Sequence, residues 1–159
     1  MKPRNQLLSQ PTPKAAIDSE VQLAVAIAVP QAVGIPLTAQ GLADRVTVLI
    51  SQGDTSIPAP AFDPLETVIA VLPVQVLASL ARKLLRDRGF PTNWPVAVVE
   101  DALHWTPRSV RAPLHRIAAA AQDAGIRSDV TVIFGPVVRR AEASVFSIDV
   151  DEEREVRVA

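Results

Sequence analysis

Few residues in this sequence are of types that do chemistry, so their spacing decides what they can do. There are two histidines and no cysteine, which excludes thiolate nucleophiles, disulfides and thiolate zinc sites. His104 and Trp105 fall in a polar stretch with His115 a few residues on; an imidazole general base or metal ligand there can be imagined. Without a carboxylate at ligand spacing, ordinary loop and helix surface is the expectation, and no metal and no catalytic residue is assigned. Asp149, Asp151, Glu152, Glu153 and Glu155 crowd the end of the chain. Nothing there fixes a cation geometry, so they read as a solvated acidic end. Gly53-Asp54-Thr55-Ser56 has a superficial look of a phosphate loop but neither its lysine nor its glycine spacing. Arg108, like any guanidinium, could pair a carboxylate bidentately or stand in a structural ion pair.

The elements that must hold these residues follow from periodicity. Asp18 or Ser19 can cap a helix running through Ala24, Val25, Ile27 and Ala28, and Gly34, Ile35 and Pro36 stop it. Arg45 to Ile50 is β-branched and apolar, as in a strand, and Ser51 to Pro60 is a loop. Glu66 to Leu72 is a short apolar run, the pattern of a strand covered on both faces, and Pro73 ends it. Leu77, Leu80, Ala81, Leu84 and Leu85 recur at helical spacing, while Arg82, Arg86, Asp87 and Arg88 lie off the stripe and Gly89 closes the helix. Pro95 to Glu100 is another strand. Leu114, Ile117, Ala118 and Ala121 mark a second amphipathic helix ending at Gly125, and Asp129 to Phe134 is a third buried strand. Val145, Phe146 and Ile148 suggest an edge strand before a charged, frayed end.

This alternation predicts one α/β layered domain, with helices covering a mostly parallel or mixed sheet. The expected division is a flexible tail over 1–18, the domain over 19–140 and a partly frayed extension over 141–159. At 159 residues, one domain with a sizeable core fits. Hydrophobic residues at 48% and charged residues at 21% exclude disorder as the default. A net charge of -1 leaves no positive excess for phosphates, so nucleic acid is not an expected partner. Met1 to Ala16 lacks the apolar run of a secretory signal. Val21 to Leu37 carries no charge, but Gln22, Pro30, Gln31, Gly34 and Pro36 interrupt it, so no membrane span is expected. A cytoplasmic protein is the resulting expectation.

Three segments resemble the second half of the tetrapyrrole methylases, in that family's order. Gly34-Ile-Pro-Leu-Thr38 with Gly41-Leu-Ala-Asp-Arg-Val-Thr47 is similar to the family's GIPLTHRG segment and the strand after it. Pro95-Val-Ala-Val-Val-Glu100, leading to Arg108, is similar to a family strand and the loop that ends in Gln-Arg. Leu114 through Gly135-Pro-Val-Val138 is similar to the closing helix, strand and final motif. The likeness runs from Val21 to Val138. It implies the C-terminal α/β half of an S-adenosylmethionine-dependent uroporphyrinogen-III C-methyltransferase, an enzyme of precorrin-2, sirohaem and cobalamin biosynthesis. The half that opens those enzymes, with its catalytic candidates, has no counterpart in this sequence.

By the same resemblance, the cofactor-facing positions are Ala24, Val25, Leu72 and Ala102, and Arg108 is the substrate contact. Several depart from the family. Its Thr followed by Ser or Ala falls on Ala24 and Val25, and its Tyr-Met-Gly falls on Val71, Leu72 and Pro73. Proline donates no N–H and cannot reach the dihedrals of glycine. The expectations are a partial or degenerate methyltransferase, with S-adenosylmethionine bound weakly or not at all, or a non-enzymatic interaction module on the same fold. The resemblance implies a homodimer or a complementing N-terminal half as partner, and a tetrapyrrole if active.

Overall fold

β-Branched runs become strands here wherever helices can cover both of their faces, and the computed structural model describes residues 13–51, 57–100, 108–141 and 148–150. The strands are β1 (Arg45–Ile50), β2 (Glu66–Pro73), β3 (Pro95–Glu100), β4 (Arg108–Pro113), β5 (Asp129–Phe134) and a short β6 (Ile148–Asp149). They form one open sheet in the order β1-β2-β5-β3-β4-β6. The pairs β1–β2 and β4–β6 are parallel, whereas β2–β5, β5–β3 and β3–β4 are antiparallel. The sheet is therefore mixed, and antiparallel through its centre rather than mostly parallel. The reason is connection length: the stretch 101–107 between β3 and β4 is too short for a parallel crossover, so the two strands form a hairpin.

Three helices, α1 (Pro13–Ala32), α2 (Val74–Asp87) and α3 (Ile117–Asp123), and a 3₁₀ turn, Pro136–Arg140, flank the sheet. Helix α1 begins at Pro13, ahead of the expected Asp18 or Ser19 cap. Proline is well tolerated in a first turn, where its missing N–H would have no helical partner. Its end is the expected one. Gly34 takes φ +74, the Ile35 N–H donates to the Pro30 carbonyl at 2.8 Å, and the Gly34 N–H donates to Gln31 at 3.1 Å. Gly125 ends α3 with the same pair of bonds: Ile126 N–H to Ala121 at 3.1 Å and Gly125 N–H to Gln122 at 3.0 Å.

Each face of the sheet has its own core. On one face, Val68, Ala70, Leu72, Val96, Val98, Val110, Val132 and Phe134 pack under Leu77, Leu80 and Leu84 of α2 and Ile117 and Ala121 of α3. Burying each large aliphatic side chain there contributes about 1.5–3 kcal/mol. On the other face, Ala97, Val99 and Ile133 pack with Val29 of α1, with Val33 just past the end of that helix, and with Val137 and Val138 of the 3₁₀ turn. Phe62 closes the first core where β3 begins, meeting Phe90 and Trp94 edge to face at 5.2 and 4.9 Å between centroids.

Candidate functional site

Parallel β1 and β2 end together, and β3, related to them through antiparallel β5, ends at the same rim. Across it the register pairs are Ile50 with Val71, Pro73 with Asp129, Glu100 with Val130 and Glu100 with Arg108. In open α/β sheets the rim outside the carboxyl ends of the strands is where ligands bind. Backbone bonds stitch it together: the Ser51 N–H donates to Val71 at 3.0 Å and the Val74 N–H to Ser128 at 3.3 Å. Strand β2 passes into α2 without a loop, and Pro73 is the helix cap with no side-chain hydrogen bond.

The structure distributes the sequence-derived candidates over both faces instead of gathering them. Leu72 is 1% exposed, with its side chain in the core beneath α2. Only its backbone lies at the rim. Val25 packs partly buried on the α1 side, and Ala24 is exposed on that helix. The Leu72 side chain and the Ala24–Val25 pair thus lie on opposite sides of the sheet. Ala102, His104, Trp105 and Gly53 to Ser56 fall outside the described residues. Arg108 is exposed at the start of β4, and its Nη1 donates to the Gly125 carbonyl at 2.9 Å. His115 is exposed, with Nδ1 2.9 Å from the Thr92 carbonyl oxygen.

One arrangement at the rim went unread in the sequence. Glu100 is 5% exposed, and its Oε1 accepts the Arg127 N–H at 2.8 Å, the Ser128 N–H at 2.8 Å and the Ser128 hydroxyl at 2.7 Å. Burial pushes this carboxyl up. The two backbone donors, the Ser128 hydroxyl and the charge of Arg108 outweigh burial and hold it below the ordinary glutamate value. The available signal was a lone acid ending the otherwise apolar run Pro95–Glu100, since a carboxylate in such a place needs donors.

At the opposite end of β2, the Thr47 hydroxyl donates to Oε1 of Glu66. The neighbouring Thr67 is fully buried, and its hydroxyl has no partner among the described residues. Gly135, at φ +145, brings β5 close to β2 there; a Cβ on it would stand 3.3 Å from the Glu66 carbonyl oxygen. Among the described residues no group of three or more His, Cys, Asp or Glu is placed to hold a metal, and no helix is long and apolar enough to cross a membrane.

Sheet order, helices on both faces and a shared rim of strand ends define an open-sheet α/β domain. A siroheme synthase from Gluconobacter oxydans (strain 621H) is 33% identical over 116 residues, which is 70% of this chain and 24% of that protein. A uroporphyrin-III C-methyltransferase from Thermus thermophilus, solved with S-adenosylhomocysteine, is 29% identical at a TM-score of 0.54, covering 70% of this chain and 50% of its own. A cobalt precorrin-4 methyltransferase of cobalamin biosynthesis, 20% identical at a TM-score of 0.61, covers 80% of this chain and 60% of its own and shows the likeness of fold. No family model matches the chain. Over this partial length the chain belongs to the tetrapyrrole methylase family, and it spans between 24% and 60% of the three relatives.

Proposed function

We propose that this chain corresponds to the cofactor-side half of an S-adenosylmethionine-dependent uroporphyrinogen-III C-methyltransferase, with a degenerate cofactor site. The observation that carries the reading is the rim. Val71 to Pro73, Ser128 to Val130 and Glu100 converge there, in a fold matched by a methyltransferase solved with S-adenosylhomocysteine. Pro73 has no N–H to offer at this rim, and Ala24 and Val25, at the positions that the resemblance assigns to the cofactor, offer no hydroxyl, so on this reading the adenosyl group loses donors. Each lost bond costs about 0.5–1.5 kcal/mol, and each ligand group left unpaired about 1–3 kcal/mol. Together these weaken binding by roughly 30-fold to 1000-fold, so that a micromolar site becomes millimolar. Calorimetric titration with S-adenosylhomocysteine tests this. The native chain should bind at millimolar concentration, and Pro73→Gly, which tolerates the observed φ of -63° and ψ of 139°, should tighten it. A variant that gains nothing removes Pro73 from the site.

A second reading has its own observation. Val21, Leu23 and Ile27 on α1 are 55%, 44% and 41% exposed, an apolar face suited to a protein partner. An interaction module on the methylase fold would use that face and need no cofactor. Sedimentation across micromolar to millimolar concentration tests that face, because a monomer throughout argues against self-association through α1.

A further inference from the structure

Ser128 is held from three directions at the rim. Its N–H and hydroxyl both donate to Glu100 at the end of β3, its carbonyl accepts the Val74 N–H at the start of α2, and it leads directly into β5. Three residues earlier, the Gly125 carbonyl accepts Nη1 of Arg108, and Arg108 stands opposite Glu100 in the β3–β4 register. The β3–β4 hairpin therefore grips both ends of the turn from Gly125 to Ser128, with a carboxylate at one end and a guanidinium at the other. Charged partners make such bonds stronger than neutral ones.

We propose that Glu100 and Arg108 form a two-part latch that fixes the turn between α3 and β5, and so positions the backbone of Ser128 to Val130 at the rim where an S-adenosyl ligand sits. The latch itself stands on the hydrogen bonds above; its consequence for a ligand rests on the methylase reading. Glu100 is a positioning residue, since it acts through Ser128. Arg108 likewise gives Nη1 to the protein backbone, a positioning role that stands beside any contact with a substrate carboxylate. A single oxygen, Oε1, accepts all three donors at Glu100. A glutamine can offer that oxygen with less charge, and an alanine cannot offer it at all.

Amide hydrogen exchange on the full chain, read by NMR, tests the latch directly. In Glu100→Ala the Arg127 and Ser128 amides should exchange roughly tenfold or more faster, while Val68, Ala70 and Val132 in the sheet keep their protection. Glu100→Gln should fall between, and Arg108→Met, which leaves β3 untouched, should loosen the same turn should Glu100→Ala fail to fold. Unchanged exchange at Arg127 and Ser128 in folded Glu100→Gln and Arg108→Met overturns the latch. A parallel titration with S-adenosylhomocysteine should show weaker binding by Glu100→Gln than by the native chain. Equal binding by the two overturns the positioning role. If the native chain binds none, the methylase reading and the positioning role fail together, and the exchange data still decide the latch.

Discussion

The two faces of the sheet solve the covering problem differently. Beneath α2 and α3 the core is continuous, and α2 turns its leucines inward and Arg82 and Arg86 outward. Helix α1 on the other face has no such division: Val29, and Val33 just past the helix end, pack into the smaller core, yet Val21, Leu23 and Ile27 remain exposed. An amphipathic helix completes its own surface, whereas α1 leaves apolar side chains on its outer side in water. The larger core thus lies on the α2–α3 face, and the exposed apolar side chains of a helix on the α1 face.

The largest expected effect tests that split. Leu84→Ala, at a 1% exposed site beneath α2, should cost about 2–5 kcal/mol in denaturant unfolding, and Val29→Ala on the α1 side only about 1–3. Equal losses would erase the distinction between the faces.

Glu100→Ala comes next, at about 1–3 kcal/mol, because two backbone donors and a hydroxyl lose their charged acceptor. Its pH dependence has a definite sign. A carboxyl that titrates lower folded than unfolded adds stability that is complete above the ordinary glutamate range and is lost as pH falls through the lowered value. The stability gap between the native chain and Glu100→Gln should accordingly be greatest near neutrality and shrink below about pH 4. A gap that grows on acidification would mean that burial outweighs the donors.

Ile27→Lys should change stability by no more than about 0.5 kcal/mol, since its site is 41% exposed. We expect it to reduce self-association by sedimentation, the measurement that tests the α1 face. The smallest effect belongs to Thr67→Val. Removing a buried hydroxyl that has no partner among the described residues should leave stability unchanged or raise it by up to about 1 kcal/mol in the same unfolding measurement.

Most of the fold is legible in the sequence because its strands and helices carry their own periodicity. Arg45–Ile50, Pro95–Glu100 and Asp129–Phe134 form as their apolar runs predict, and Gly34, Gly89 and Gly125 all follow helices with positive φ. Strand β4 hid because Arg108, Arg111 and Pro113 interrupt its six residues, and only pairing with β3 makes it a strand. Strand direction hid as well, since an apolar run reads the same either way. At the rim, local pattern could not reveal that Glu100 meets a turn 27 and 28 residues later. The family resemblance named positions such as Leu72 but not which face of the sheet its side chain would take.

The sheet order also sets a timetable for folding. Among the described residues, strand β5 is the last long strand, yet it lies between β2 and β3, and it alone joins the β1–β2 pair to the β3–β4 hairpin. As the chain emerges during synthesis, both pairs can form early, each with one inner edge unpaired. Such edges invite pairing with other chains. Completion waits for Asp129 to Phe134, so this segment acts as a keystone, and the half-built protein is most vulnerable in the interval before it arrives.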